Sequence, residues 1–254
     1  MGETRNGDAH VGTESPGVPQ TRVREAIIGG GMRMYYQPLV DLGTSRVVAY
    51  EALARFRGHP DLTPDGWFAE AGRHGLREDL ELSALRCGLM ALDDLREEVS
   101  VCVNLSRFGM MSDHLQRSLE GLPLDRIVLE LTEQEEVSDY RAMNRALLRL
   151  RADGVRLAVD DAGAGFASMR HIVSLQPDLI KLDATWVDDI EADPIRRSMV
   201  TAIGSFAASI DAILVGESVE TTAQAEVLRD LGVPWAQGYL FARPAPLAAT
   251  ASGE

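Results

Sequence analysis

Short runs of apolar, β-branched and aromatic residues recur along the 254-residue chain, and longer segments with helical spacing separate them. The runs predict strands at 34–40, 47–55, 99–104, 127–131, 156–160, 179–182, 212–216 and 236–241. The helical spacing predicts helices over 76–95, 140–152, 196–210 and 222–231, with Gly154 and Gly232 where C-terminal caps fall. This alternation is the pattern of a βα-repeating architecture, and eight strands favour a closed barrel over an open sheet. One connection breaks the rule, because only 41–46 separates the first two strands and parallel strands need a crossover of about a dozen residues or more. The expected fold class is therefore α/β, a modified TIM (β/α)8 barrel with an antiparallel first strand.

Polar residues interrupt these apolar strands at recurring places. Glu51, Asn104, Glu130, Asp160 with Asp161, Asp183 and Glu217 all lie within or just after a strand, where surface acids are not expected. A charge beside a strand interior costs several kcal/mol unless it is paired or bound to metal. Repetition of that cost along the chain points to convergence on one site, and parallel barrel strands bring their C-terminal ends to one face. Oxygen donors of the Asp, Glu and Asn type suit Mg²⁺ or Mn²⁺ better than zinc. A single acid at a strand end is more often a helix cap, and Asp183 fits that role equally well. The neighbours Asp160 and Asp161 resist it, since adjacent like charges after an apolar run call for cations. Lys181 lies inside the run 179–182 and calls for a carboxylate, a phosphate or a water. The five histidines show no metal-ligand spacing, and His74 and His171 read as surface or helix residues.

A hydrophobic content of 45% is enough to bury a full core at this length. The formal net charge of −14 argues against sequence-independent binding to polymeric nucleic acid, which draws on phosphate neutralisation by Lys and Arg. Cys87 and Cys102 cannot form a disulfide framework and read as reduced, buried thiols of a cytoplasmic protein. No stretch approaches the roughly 18 to 20 apolar residues of a membrane-spanning helix. Residues 1–20, rich in Gly, Thr, Glu and Pro, read as a disordered lead-in, 21–246 as one barrel, and 247–254 as a flexible tail.

Read together, Tyr36-Gln37-Pro38, Glu51-Ala52-Leu53-Ala54-Arg55, Val103-Asn104-Leu105-Ser106, Glu130-Leu131-Thr132-Glu133, Asp160-Asp161, Lys181-Leu182-Asp183, Glu217-Ser218-Val219-Glu220 and Gln237-Gly238-Tyr239 resemble, in order and spacing, the motifs of the EAL-domain family. The resemblance implies a bacterial signalling enzyme, a phosphodiesterase that hydrolyses cyclic di-GMP to linear pGpG with two Mg²⁺ or Mn²⁺ ions. It implies that Glu51, Asn104, Glu130 and Asp160 hold one metal and that Asp160 and Asp161 hold a second. Lys181 would contact the attacking water, and Glu217 would act as general base or as a ligand of the second metal. Gln37, Leu53, Arg55 and Gln237 would contact the dinucleotide, with Glu133, Asp183 and Glu220 behind them and a homodimer as the assembly. The alternative is a non-catalytic cyclic di-GMP receptor. It is motivated by Ala162, where the family usually carries Phe, in the loop after Asp161. Ser218 also stands where the family usually carries Gly.

Overall fold

The computed structural model describes residues 17–28, 30–58, 62–131, 137, 139–162 and 166–247, with the side chains of 161 and 166–168 excepted. Eight strands close into a barrel in chain order. Helix α1 (Gln20–Ile27) precedes β1 (Met32–Asp41) and β2 (Val47–Phe56), and α2 (Pro64–Arg73) and α3 (Arg77–Leu89) lead to β3 (Ser100–Asn104). Two one-turn helices, α4 (Arg107–Met110) and α5 (Leu115–Ser118), lead to β4 (Ile127–Leu131), α6 (Tyr140–Ala152) and β5 (Arg156–Ala162). The chain continues through α7 (Phe166–Leu175), β6 (Leu179–Leu182), α8 (Ala184–Val187), α9 (Pro194–Ser209), β7 (Ile213–Gly216), α10 (Thr222–Asp230) and β8 (Trp235–Gln237).

β1 is antiparallel to both β2 and β8, and every other neighbouring pair is parallel, as the short 41–46 connection requires. The tight reversal is built by Asp41, whose Oδ1 accepts from the backbone N–H of Thr44 at 2.7 Å and of Gly43 at 3.0 Å. These hydrogen bonds, those from Thr44 foremost, hold the Asp41 carboxyl below its ordinary pKa.

Side chains alternate across each strand, so every strand serves two environments. Outward residues such as Val101, Ile127 and Leu129 pack with the α3 and α6 side of the barrel, while Ile180 and Leu214 pack with α9 and α10. A third cluster joins Val18, Val23 and Ala26 at the N-terminus to Trp67, Leu80 and Met32. Inside the barrel, Leu39, Ala49, Cys102, Val128, Ala158, Leu179 and Val215 form a separate apolar layer that is fully buried.

Several boundaries differ from the sequence expectation for identifiable reasons. β8 ends at Gln237 instead of continuing to residue 241, because Gly238 passes against the backbone of Val219 and Phe241 N–H turns back to the Gly238 carbonyl. The segment 76–95 divides into α3 and a 3₁₀ turn at Met90–Asp93. Helices α1 and α7 were not anticipated. Val18 is buried and its carbonyl meets His74 Nε2 at 2.9 Å, so packed chain begins before the expected start at residue 21. Leu247, expected to open the tail, packs on the α3 and α6 side. The rest of the lead-in, 1–16, and of the tail, 248–254, lies outside the described residues. Gly154 and Gly232 take positive φ of 107° and 82° just beyond α6 and α10, as their capping positions demand. Cys102 is buried and Cys87 half-buried, both as free thiols.

Candidate functional site

The apolar layer ends where each strand advances by two residues. Ala49 gives way to Glu51, Cys102 to Asn104, Val128 to Glu130, Ala158 to Asp160, Leu179 to Lys181 and Val215 to Glu217. β1 runs the other way, so Leu39 is followed at the same end by Gln37, and β8 contributes Gln237. The mouth of the barrel therefore carries four carboxylates, three amides and one ammonium on eight strands. Pairing of β5 with β6 is interrupted between Val159 and Ala162, so a bulge falls on the Asp160–Asp161 pair. Bulges of this kind commonly re-aim side chains beside functional sites.

Lys181 stands at the centre. Its side chain is 1% exposed, and Nζ lies 2.8 Å from Glu217, 3.1 Å from Asp160, 3.2 Å from Glu130 and 3.4 Å from Glu51. Burial opposes the charge on Lys181, but Asp160, Glu130, Glu217 and Glu51 together raise its pKa well above the ordinary value. Burial pushes Glu130 up to about 8, eased by Lys181 and reinforced by Glu51 and Asp160. Burial, then the Asp160 charge, holds Glu217 well above the usual carboxylate range. The same environment raises the Cys102 thiol, chiefly through burial and then through the Glu130 charge above it.

Amides fix the carboxylate of Glu51. Asn104 Nδ2 donates to Oε1 at 2.8 Å, and Gln237 Nε2 donates to Oε2 at 2.7 Å and to Gln37 Oε1 at 3.1 Å. Gln37 Nε2 in turn donates to the Ala242 carbonyl at 3.1 Å. Four buried oxygens are left without a hydrogen-bond partner among the described residues, Asn104 Oδ1, Glu130 Oε1, Asp160 Oδ1 and Gln237 Oε1, of which Asp160 Oδ1 has only the Lys181 ammonium at 3.1 Å. A buried acceptor without a donor is costly, and all-oxygen donors of this type suit a hard divalent cation. The residues present thus fit metal ions. As the side chains stand, no three His, Cys, Asp or Glu among the described residues are spaced to chelate one. The ammonium holds the centre, and the expected set also draws on Asn104 and on Asp161, whose side chain is not described.

Leu53 and Arg55 share with Asn104 and Asp160 a cavity of about 630 Å³ that runs along β2 toward α2 and α3. Arg55 is half-buried, donates from Nη1 to the Ala54 carbonyl and lies 5.7 Å from the Tyr35 ring. Asp183 caps α8, its Oδ1 accepting from the Thr185 backbone at 2.9 Å. Glu220 is exposed at the entrance to α10, its backbone N–H donating to Gln224. Glu133, the side chain of Asp161 and the loop 163–165 lie outside the described residues. His171 belongs to a helix but not to the surface: it is buried in α7 with Nδ1 2.9 Å from the Tyr140 hydroxyl.

Sequence reasoning missed Glu81. It is buried in α3, where it accepts from Ser106 Oγ at 2.7 Å and from Arg77 Nε at 2.7 Å. Ser106 also caps α4, so the turn that follows Asn104 is tied to α3 from inside. The available signal was a lone acid between Leu80 and Leu82.

This class of barrel, with carboxylates at the mouth and a reversed first strand, coincides with a known family. The chain matches the EAL domain over residues 20–244 and belongs to the EAL-domain family. It is 33% identical over 244 residues to the cyclic di-GMP phosphodiesterase NbdA of Pseudomonas aeruginosa, covering 91% of this chain and 31% of that protein. It is 30% identical over 239 residues to the probable cyclic di-GMP phosphodiesterase PdeB of Escherichia coli, covering 90% of this chain and 45% of that protein. The chain thus spans about a third to a half of these relatives. Among solved structures, the phosphodiesterase PaMucR in complex with c-di-GMP superposes with a TM-score of 0.78 at 27% identity, covering 90% of this chain and 98% of that one. A manganese and cyclic di-GMP complex of Klebsiella pneumoniae BlrP1 gives 0.73 at 27% identity, covering 85% of this chain and 57% of that one. No helix among the described residues is long and apolar enough to cross a membrane.

Proposed function

We propose that this chain is a metal-dependent phosphodiesterase that opens cyclic di-GMP to linear pGpG. The observation that carries the proposal is the convergence of Glu51, Asn104, Glu130, Asp160, Lys181 and Glu217 from six consecutive strands onto one point of a barrel whose relatives bear that activity in their names. Glu51, Asn104, Glu130 and Asp160 would hold one divalent ion, and Asp160 with Asp161 a second. When bound, such a pair supplies hydroxide at neutral pH and neutralises the attacking and leaving oxygens of an in-line displacement. Mg²⁺ and Mn²⁺ are the expected ions.

The protein's own groups then have separate tasks. Glu217, which burial makes a stronger base than an exposed carboxylate, takes the proton of the attacking water, and Lys181 orients that water. Arg55 offers a planar donor fork to a phosphate at the cavity wall, beside Leu53. Gln237 and Gln37 steady Glu51, and Gln237 Oε1 is the atom left to meet the dinucleotide. Asp183, Glu133 and Glu220 support this arrangement from behind. A homodimer in the cytoplasm is the expected setting.

A turnover assay with chromatographic product identification tests the proposal. Mg²⁺- or Mn²⁺-dependent appearance of pGpG is expected; intact dinucleotide with both metals across neutral to alkaline pH would overturn it. A non-catalytic receptor would instead bind cyclic di-GMP tightly without turnover.

A further inference from the structure

Of the eight inward side chains at the mouth, Lys181 alone is cationic. Its Nζ lies within 2.8 to 3.4 Å of carboxylates from four different strands. An ammonium has three donors, so four carboxylates around it cannot all be satisfied by directed hydrogen bonds. The arrangement follows charge: a lysine that only oriented one water would need one neighbouring oxygen, and one that only filled space would need none. Two of the four, Glu51 and Glu130, are less than a tenth exposed, and Asp160 and Glu217 are about 15% exposed, so water screens the mutual repulsion poorly. The same strands carry a fully apolar layer two residues below, which offers these charges no compensation.

We infer that Lys181 is the built-in counter-ion of the cage, competing with divalent cations for the same carboxylates and sustaining the folded barrel when such ions are scarce. The inference rests on the reading of the cage as a metal site and adds a second task to the residue that orients water. It predicts that the ammonium and the metal substitute for one another in stability, a linkage that packing alone would not create.

Thermal unfolding in excess chelator and in saturating Mn²⁺ tests this with wild type, Lys181→Met and the double variant Lys181→Met/Glu217→Gln. Removing one partner of a buried charge cluster should lower the Lys181→Met midpoint in chelator by on the order of 10 °C. In Mn²⁺ the deficit should shrink to less than half, and calorimetry should show Mn²⁺ bound severalfold more tightly than by wild type. The double variant should recover part of the loss in chelator, because one carboxylate charge leaves with the ammonium. An equal deficit with and without metal would overturn the inference, as would a double variant no more stable than the single one. Should Lys181→Met fail to fold in chelator, recovery in the double variant decides. A wild type showing neither a Mn²⁺ shift nor binding heat would sink the metal-site reading, while the single and double variants in chelator still judge the counter-ion.

Discussion

Two layers of the barrel interior, about 6.6 Å apart along the same strands, obey opposite rules. The lower one, from Leu39 and Ala49 through Val215, is apolar and wholly enclosed, and every residue in it favours folding. The upper one gathers four carboxylates around one lysine, leaves four buried oxygens without a hydrogen-bond partner among the described residues and pushes Glu130 up to about 8, mainly through burial. The strands and their twist are shared, and apart from the bulge on β5 between Val159 and Ala162 the difference lies in side chains. A two-residue step is the shortest distance over which a strand can return to the same face, and here it separates the part that holds the barrel closed from the part that does chemistry. Burial below stabilises the frame in which like charges above are held together.

The contrast breaks most visibly at Glu217. Glu217→Gln should lower turnover by about 10²–10⁴-fold through loss of the proton acceptor, yet leave the unfolding midpoint at or above wild type, because a repelling charge has gone. Single-turnover product formation and calorimetry measure the two halves; full turnover in the variant would end the assigned role. Two residues earlier on β7 and its neighbours the pattern should invert. Leu179→Ala, in the fully buried layer, should cost about 2–5 kcal/mol of stability and leave Mn²⁺ affinity unchanged well below the midpoint. Urea unfolding and metal titration separate those effects, and a large loss of metal affinity would show that the layers are not independent.

pH distinguishes the barrel wall from its mouth more gently. Tyr36 is buried on the outer face of β1, its hydroxyl donating to the Gly88 carbonyl at 3.2 Å, and burial raises its pKa to about 12. The folded state favours the neutral phenol, so this contribution is complete below pH 10, the unfolded value, and is lost as pH rises through 12. About 2–3 kcal/mol is at stake by that linkage. Tyr36→Phe should flatten the fall in stability between pH 10 and 12; an unchanged slope would assign the alkaline loss to other groups.

Much of this was legible in the sequence because polar residues inside apolar runs are conspicuous. Each cage residue was visible as a charge or amide where burial is expected, and the short 41–46 link fixed the reversed first strand. What stayed hidden depended on neighbours distant in sequence. Gly238 looked like an ordinary turn residue, but a Cβ there would stand 2.1 Å from the Val219 carbonyl oxygen, and that contact stops β8 at Gln237. Glu81 gave only an acid set between Leu80 and Leu82, since its partner Ser106 lies 25 residues away. Spacing also could not show that Gln237 faces Glu51 across the closure of the barrel, 186 positions apart.

Ser218 offers the smallest test. It holds a left-handed φ of 54° between Glu217 and Val219, a conformation that costs a residue with a Cβ about 1–2 kcal/mol. The neighbouring backbone is pinned on both sides, with Val219 N–H donating to the Gln237 carbonyl at 3.0 Å and Leu240 N–H donating to the Val219 carbonyl at 2.9 Å. The strain is thus imposed by the closure of the barrel next to the proton acceptor. Ser218→Gly should relieve it, but glycine also frees the unfolded chain by about 0.5–1 kcal/mol. The two effects nearly cancel, so the midpoint should rise by no more than about 2 °C. Turnover should stay within twofold, because the fixed hydrogen bonds and not the side chain at 218 place Glu217. A tenfold loss of turnover with an unchanged midpoint would instead show that the stiffness of Ser218 aims the carboxylate, and the mouth would then depend on backbone strain as well as on charge.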